Sequence, residues 1–185
     1  MLLLGCKPPG RHIEQHDVFF GIAPSLSGLL PQINAFWPQT EVKVHIDAWR
    51  EVTAVDGYQI NIIPKLSARS AQKQKLFFIN LGGYQAGKFE EQHYIVLTVQ
   101  ETSAHASKQA KESLFYKHNH IPGGTSHIDD KYGVDVDDIY AVEEILPPAL
   151  KETYGIELIP MAGLPEDELH LGYVKLSLLE DNMIK

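Results

Sequence analysis

The sequence predicts an α+β protein made of two pseudo-symmetric ββαββ repeats, mostly antiparallel sheet with one helix per repeat, followed by a strand-rich C-terminal tail. Three observations lead to this prediction. The block from Gly5 to His16 recurs without a gap as the block from Gly82 to His93. The segments around each block alternate in polarity or are rich in β-branched residues, and each copy has one segment with apolar residues at helical spacing.

Two shorter matches follow the first pair of blocks in the same order. His45-Ile46-Asp47 recurs as His127-Ile128-Asp129, and Asp56-x-Tyr58 recurs as Asp138-x-Tyr140. Both lie at one common offset, which exceeds that of the first blocks and therefore requires an insertion in the second copy. Matches in a conserved order predict a duplicated domain. We expect a first repeat at 1–63, a linker at 64–75, a second repeat at 76–147 and a tail at 148–185, all packed as one globule.

Each repeat is expected to begin with a hairpin. In the first copy, Leu2–Leu4 is a strand, Gly5–Gly10 is a loop rich in glycine and proline, and an apolar strand lies within Glu14–Ala23. Side chains alternate along a strand, so Glu14 and His16 should share one face. The glycines at both ends of this loop and of its second copy predict positive φ or a close approach of the backbone.

A helix follows each hairpin. In the first copy the apolar spacing predicts a helix over 26–36, and Pro31 must lie in or near its first turn. In the second copy, Thr102 or Ser103 caps a helix that ends near Tyr116.

More strands complete each repeat and the tail. Val42–Val52 and Tyr58–Ile63 are expected to be strands, with Asp56-Gly57 as a hairpin turn. In the second copy an acidic run precedes a strand over Ile139–Ile145. The tail predicts a short helix at 149–154 and strands at 156–160 and 170–179, which close an exposed edge strand.

Composition excludes several classes of protein. The net charge of −8 argues against a nucleic-acid partner and against docking on an anionic membrane. No apolar run approaches the ~20 residues that cross a bilayer. A single cysteine, Cys6, excludes an internal disulfide framework, so the expected location is the cytoplasm. The sequence leaves a homodimer open and identifies no cofactor, ligand or protein partner.

The repeated polar residues are the candidates for chemistry. Imidazole and carboxylate groups together can ligate zinc, manganese or iron, or act as a general acid–base pair near neutral pH. The glycine-rich loops, each followed by a basic residue, could also bind an anion through backbone amides. The candidate residues are Arg11, Glu14, His16, His45, Asp47, Lys88, Glu91, His93, His127 and Asp129.

A structural interpretation competes with each of these. A histidine at a strand start often bonds to neighbouring backbone, and glutamate can bond amides at a turn. The E-x-H spacing is not a known zinc signature. The acidic run Asp129 to Asp138 lacks the ligand order of a calcium loop and favours a solvated hairpin. Cys6 has no clear partner base, which favours an inert packed thiol.

The motifs resemble a bacterial family of unknown function, the DUF1543 domain family. The resemblance is carried by the phrases GCKPPGRHIEQHDVFFGIA, HIDAWREV, SHIDDKYGVDVDDIY and LGGYQAG. It covers the chain to about Pro147 and leaves the tail outside. The family has one or two copies of the domain, which agrees with the duplication. It implies no activity, so no catalytic residue is carried over.

Two classes of function follow. The first is a non-catalytic binding or assembly module, which the sequence favours slightly. The alternative is a small metal-assisted or acid–base enzyme centred on the repeated Glu, His and Asp residues. Geometry discriminates between them. Convergence of Glu14, His16, His45 and Asp47 in a cleft with room for a ligand favours the enzyme, whereas separate neighbours and bonds to backbone favour the module.

Overall fold

The computed structural model describes residues 1–37, 43–67, 72–83, 87–119 and 135–180, without the side chains of 113–119 and 180. The strands are β1 (Leu2–Cys6), β2 (Gln15–Phe19), β3 (His45–Trp49), β4 (Ala54–Val55), β5 (Tyr58–Pro64), β6 (Lys75–Gly83), β7 (Gln92–Gln100), β8 (Asp135–Ala141), β9 (Tyr154–Pro160) and β10 (His170–Lys175). The helices are α1 (Leu30–Phe36), α2 (Ser103–Asn119), α3 (Val142–Ile145), α4 (Pro148–Thr153) and α5 (Leu176–Glu180).

The predicted α+β class is confirmed. A first sheet has the strand order β10-β3-β1-β2, and a second sheet has the order β7-β6-β8. All pairs in these two sheets are antiparallel. A small sheet has the order β4-β5-β9. In both larger sheets the first strand of a hairpin lies between its hairpin partner and a later strand.

The first strand of each hairpin is longer than the sequence predicts. The expected loop begins at Gly5, yet β1 continues through Cys6, and β6 continues through Gly83. Near the end of β1, Gly5 is paired on two sides, because it faces His16 on β2 and His45 on β3. Glycine and proline content indicated a turn, but two flanking ladders satisfy the backbone and keep the segment extended.

One core lies on the helix side of the first sheet. The core consists of apolar side chains from β1, β2 and β3, from α1 and the turn before it, and from α5. Pro31 lies in the first turn of α1, as predicted, where its missing N–H needs no partner. The members of this core are Leu2, Leu4, Phe19, Leu26, Leu29, Ile33, Ile46 and Leu179.

A second core lies between α2 and the second sheet. Of the described side chains of the helix, Ala106 and Ala110 enter this core, and both are fully buried. Thr102 caps the helix, as predicted: its hydroxyl accepts a hydrogen bond from the His105 N–H at 3.2 Å. The helix continues to Asn119, beyond the predicted end near Tyr116.

The predicted Asp56-Gly57 turn is confirmed. Both residues have positive φ, 51° and 75°, and they join β4 to β5. The Asp56 carboxylate also accepts hydrogen bonds from the buried Thr98 hydroxyl at 2.6 Å and from the Val99 N–H at 2.9 Å. Asp56 therefore combines a tight turn with a contact to β7.

Replacing Asp56 by alanine is expected to destabilise the fold by about 2–3 kcal/mol. The change leaves a buried hydroxyl unpaired and puts a residue that disfavours positive φ into the turn. Asp56→Asn, which tolerates this φ and keeps one acceptor oxygen, should lose less than half as much. Chemical denaturation of the three proteins measures the difference, and equal stability of wild type and Asp56→Ala would contradict it.

The tail extends the sheets, as predicted, but its last strand is shorter. α4 and β9 lie where expected, and β10 pairs with β3 and covers what would otherwise be an edge. The predicted strand over 170–179 ends at Lys175, and α5 follows because Leu179 enters the first core. Likewise β8 ends at Ala141 and α3 replaces the rest of the predicted strand.

The chain forms two compact units that differ from the predicted segments. One unit comprises Met1–Ala54, Leu146–Tyr154 and Pro165–Lys185, and the other comprises Val55–Ile145 and Gly155–Leu164. The hairpin strand β5 and the strand β9 thus belong to the same unit as the second sheet. The duplication stays a prediction, because the division of the chain into compact units does not test whether two segments arose from one domain. Within the described ranges, no helix combines the length and apolarity required to cross a membrane.

Candidate functional site

A glycine at the centre of the first sheet makes room for a polar cluster. Gly5 on β1 pairs with His16 on one side and with His45 on the other. A Cβ atom on Gly5 would lie 2.5 Å from Oδ2 of Asp47 and 2.6 Å from Nε2 of His45. Such distances exclude any side chain, so the predicted close approach at this glycine is confirmed.

A β-bulge places Asp47 in the same cluster. Leu4 pairs with Ile46, but Leu3 pairs with Ala48, so that Asp47 is the extra residue on β3. Bulges re-aim side chains next to functional sites. Here the Asp47 carboxylate lies over Gly5 and between the two imidazoles.

Four side chains form a closed ring of alternating imidazole and carboxylate groups. Nε2 of His16 lies 3.7 Å from Oε2 of Glu14 and 3.2 Å from Oδ2 of Asp47. Nε2 of His45 lies 3.2 Å from Oε1 of Glu14 and 3.3 Å from Oδ1 of Asp47. We call these four residues the histidine–carboxylate ring. Each carboxylate uses one oxygen for each histidine.

Two buried atoms of the ring have no hydrogen bond. Among the described residues, Nε2 of His45 and Oδ2 of Asp47 are buried and lack a partner of acceptable geometry, although charged neighbours lie close. An unpaired polar group in a protein interior costs about 1–3 kcal/mol. None of the four side chains bonds to backbone in the described part of the chain. These contacts differ from the bonds to backbone that the structural interpretation expects.

The tail covers the ring with an aromatic side chain that the sequence did not indicate. Tyr173 on β10 packs against His45, with ring centroids 4.3 Å apart and planes at 35°. His45 is only 4% exposed, whereas the side chains of His16 and Glu14 are 43% and 42% exposed. One side of the ring is therefore closed and the other is open to solvent.

The second sheet has a similar cluster with one ligand group fewer. Gly82 pairs with His93, and Asp137 is the extra residue of a bulge between Asn80 and Leu81. Nε2 of His93 lies 3.2 Å from Oδ2 of Asp137 and 3.8 Å from Oε2 of Glu91. We call Glu91, His93 and Asp137 the second-sheet cluster. A Cβ on Gly82 would collide with the Asp137 carboxylate.

The register identifies which residues of the two sheets correspond. Gly5 faces His45 and Gly82 faces Asp135, so Asp137 takes the position of Asp47. The predicted match of His45-Ile46-Asp47 with His127-Ile128-Asp129 assigns that position to Asp129 instead, and the register corrects it. His127 and Asp129 themselves lie outside the described residues. The signal that was available is the pair Val136-Asp137, which resembles Ile46-Asp47.

The structure joins some predicted candidates and separates others. Glu14, His16, His45 and Asp47 form one cluster, and Glu91 and His93 belong to the other. Arg11 and Lys88 are exposed, and in the described structure neither side chain contacts a cluster. Gly10 and Gly87, which precede them, both have φ of 77°, as predicted for these loops.

Cys6 is a packed thiol next to the ring. The side chain is fully buried, and burial together with the nearby Glu14 carboxylate raises the pKa of the thiol. A neutral thiol is a poor nucleophile and a poor metal ligand. This agrees with the predicted inert role of Cys6.

Comparison with known proteins supports the family resemblance for part of the chain. The fold and the two clusters define an α+β protein with polar residues converging on glycine-centred strands. Residues 11–62 match the sequence model of the Domain of Unknown Function DUF1543. This match covers β2, α1, β3, β4 and most of β5, and with them all four residues of the ring. It does not test a second copy.

A solved structure shows the same overall fold. The crystal structure of a protein Il1583 from Idiomarina loihiensis superposes with a TM-score of 0.61. The alignment covers 95% of this chain and 94% of that chain at 20% sequence identity, so the likeness concerns the fold alone. No curated protein matches the chain.

Proposed function

We propose that this protein binds one divalent transition-metal ion in the histidine–carboxylate ring and uses it as a Lewis acid. The observation that carries the proposal is the closed ring of contacts between two imidazole nitrogens and two carboxylates. The binding or assembly role without chemistry remains a prediction that no contact in the described chain tests.

The distances in the ring suit a metal centre. Ligand atoms at about 2.1 Å from a tetrahedral ion are about 3.4 Å apart, and neighbouring ligands of an octahedral ion are about 3.0 Å apart. The four distances in the ring range from 3.2 to 3.7 Å. Among the described residues, the set whose ligand atoms all lie within 4.8 Å of one another is Glu91, His93 and Asp137, so an ion in the ring would draw the side chains that face each other across it closer together.

Hydrogen bonding alone accounts poorly for the same arrangement. A neutral imidazole has one N–H to donate, but each Nε2 of the ring faces two carboxylates. The lone pair of Nε2 and the carboxylate oxygens would all find a partner in one cation at the centre. The same cation would satisfy Nε2 of His45 and Oδ2 of Asp47, which are buried and make no hydrogen bond.

The ligand set narrows the choice of metal. Imidazole favours zinc, copper, iron and nickel, while carboxylate favours harder ions such as manganese. A set of two imidazoles and two carboxylates favours Zn²⁺, Fe²⁺ or Mn²⁺ over Ca²⁺ or Mg²⁺. Two carboxylates balance the charge of a divalent ion, so a neutral centre forms on an acidic protein.

The open side of the ring would let a substrate reach a bound metal. A centre with four protein ligands and higher coordination keeps positions for water and a substrate oxygen. Glu14 and His16 lie on the exposed side, where solvent reaches them. A metal held by these four residues would supply Lewis acidity toward water and toward a carbonyl or phosphoryl oxygen. Hydrolysis or a related addition of water is the reaction class that this arrangement supports.

The test is metal analysis with a matched pair of variants. Untagged protein is stripped with chelator, reloaded separately with Zn²⁺, Fe²⁺ and Mn²⁺, desalted and analysed for metal and protein. We expect at least one equivalent of one ion in wild type, and one equivalent fewer in the isosteric variant Glu14→Gln/Asp47→Asn. The variant Asp17→Asn, which changes an exposed carboxylate of β2 outside the ring, serves as the control. Retention of a full complement of metal by Glu14→Gln/Asp47→Asn would contradict the proposal.

A further inference from the structure

We infer that the second sheet carries a separate and weaker site for a divalent cation, formed by Glu91, His93 and Asp137. This site goes beyond the proposed function, because it uses no residue of the histidine–carboxylate ring. It lies in the other compact unit of the chain. The inference stands on the geometry of these three side chains and on how the sheet makes room for them.

The three ligand groups converge. One ligand atom from each residue lies within 4.8 Å of the other two, and Nε2 of His93 lies 3.2 Å from Oδ2 of Asp137. The donor set mixes one imidazole with two carboxylates, and is therefore more than an acidic patch. A set of three protein ligands leaves the remaining positions of an ion to water or to a substrate.

The backbone of the second sheet is shaped for this cluster. Asp137 is the extra residue of a β-bulge. Its carboxylate occupies the space where a Cβ atom on Gly82 would lie. Asp47 and Gly5 have the same relation in the first sheet. A carboxylate held against a glycine by a bulge therefore occurs in both sheets, each time next to a histidine of the paired strand.

A difference at one position explains why the second site should be weaker. The position of His45 is taken by Asp135, whose Oδ1 lies 3.2 Å from Nζ of Lys111. The Val136 N–H also donates a hydrogen bond to the same oxygen at 2.7 Å. Asp135 is therefore engaged elsewhere and adds no ligand to the second-sheet cluster.

Exposure leads to the same conclusion. The side chains of Glu91, His93 and Asp137 are 34%, 48% and 32% exposed, whereas that of His45 is 5% exposed. A more hydrated site with fewer ligands binds an ion less tightly and prefers oxygen-seeking ions. Mn²⁺, which accepts one imidazole among oxygen ligands, is the expected occupant, with an affinity at least tenfold below that of the ring.

The competing interpretation is a surface ion pair between protonated His93 and its two carboxylates. Such pairs are common and contribute little to stability. The two interpretations differ in their response to metal. A surface ion pair does not require a cation, whereas a cation site binds one through the imidazole and both carboxylates.

Titration with Mn²⁺ at pH 8, followed by the electron paramagnetic resonance signal of the free ion, tests the inference. The starting protein is the variant His16→Ala/His45→Ala, in which the ring is removed and only the second site remains. We expect it to bind one equivalent, and Asp137→Asn in this background to lower the affinity at least tenfold. Glu90→Gln, an exposed carboxylate next to the cluster, is the matched control and should bind like the background.

The outcomes separate the two sites. Loss of one Mn²⁺ through Asp137→Asn but not through Glu90→Gln supports the second site, even if wild type and the ring variant bind equally and the ring proposal fails. The inference is overturned if His16→Ala/His45→Ala binds no Mn²⁺, or if adding Asp137→Asn leaves the Mn²⁺ affinity of that variant unchanged. Circular dichroism shows whether each variant is folded. If a variant is not folded, NMR spectra of the wild-type protein replace it as the test. Broadening of the His93 ring proton by Mn²⁺ supports the second site, and absence of broadening overturns the inference.

Discussion

Replacing His45 by alanine is expected to lower the affinity of the histidine–carboxylate ring for its metal by at least about 100-fold. Loss of an outer-shell partner alone costs 10- to 100-fold in known metal sites, and His45 is itself a ligand in this proposal. Its Nε2 is buried and faces both carboxylates of the ring. Isothermal titration of metal-free protein measures the change directly.

The same substitution should remove the stabilisation that metal gives the fold. An ion at 100 times its Kd contributes about 2.7 kcal/mol, which for a chain of 185 residues corresponds to a rise in Tm of roughly 5–11 °C. Loss of the contact with Tyr173 lowers the Tm of His45→Ala with or without metal. The informative quantity is therefore the difference between loaded and metal-free protein, which should approach zero.

His12→Ala is the matched control for this prediction. His12 is an exposed histidine four residues before His16 and, among the described contacts, takes no part in the ring. It should bind metal and respond in Tm like wild type. A full metal response in His45→Ala would show that the ion binds elsewhere and would refute the assignment of the ring.

Replacing Gly5 by alanine is expected to abolish tight metal binding without removing any ligand. The new methyl group would lie 2.5 Å from Oδ2 of Asp47 and 2.6 Å from Nε2 of His45, closer than atoms can approach. Both side chains must move away and the ring opens. We expect a loss of affinity of at least about 100-fold, by the same reasoning as for a lost ligand, and a cost of about 1–3 kcal/mol from overpacking.

Gly10→Ala separates the steric effect from the general cost of losing a glycine. Gly10 has a φ of 77° and no atom within 4 Å of its would-be Cβ. Its replacement should cost about 1–2 kcal/mol through backbone strain and leave metal affinity unchanged. Unchanged affinity in Gly5→Ala, measured beside Gly10→Ala by the same titration, would mean that the space above Gly5 is not the metal site.

Strand periodicity and a short hairpin made most of the ring predictable. Glu14 and His16 were placed on one face near the start of β2, and pairing with β1 sets His16 opposite Gly5. His45 and Asp47 are candidates because the triplet His-Ile-Asp occurs twice in the sequence. Local patterns suffice when partners are close in sequence or joined by regular ladders.

The rest depends on features that leave no periodic trace. The bulges that bring Asp47 and Asp137 into the clusters leave no mark in the alternation of polar and apolar residues. The contact of Tyr173 with His45 joins strands that are far apart in the sequence, and nothing in the local composition of β10 indicates it. The extension of β1 through Cys6 likewise follows from pairing rather than from propensity, since Gly5 pairs with two strands and Cys6 pairs with β2.

The position of β10 has a consequence for biosynthesis. Ribosomes make the residues of the ring, from Glu14 to Asp47, well before the strand that carries Tyr173. Until β10 pairs with β3, the edge of the sheet is open and His45 lacks its aromatic cover. The surroundings of His45 are therefore complete only after synthesis of the last strand.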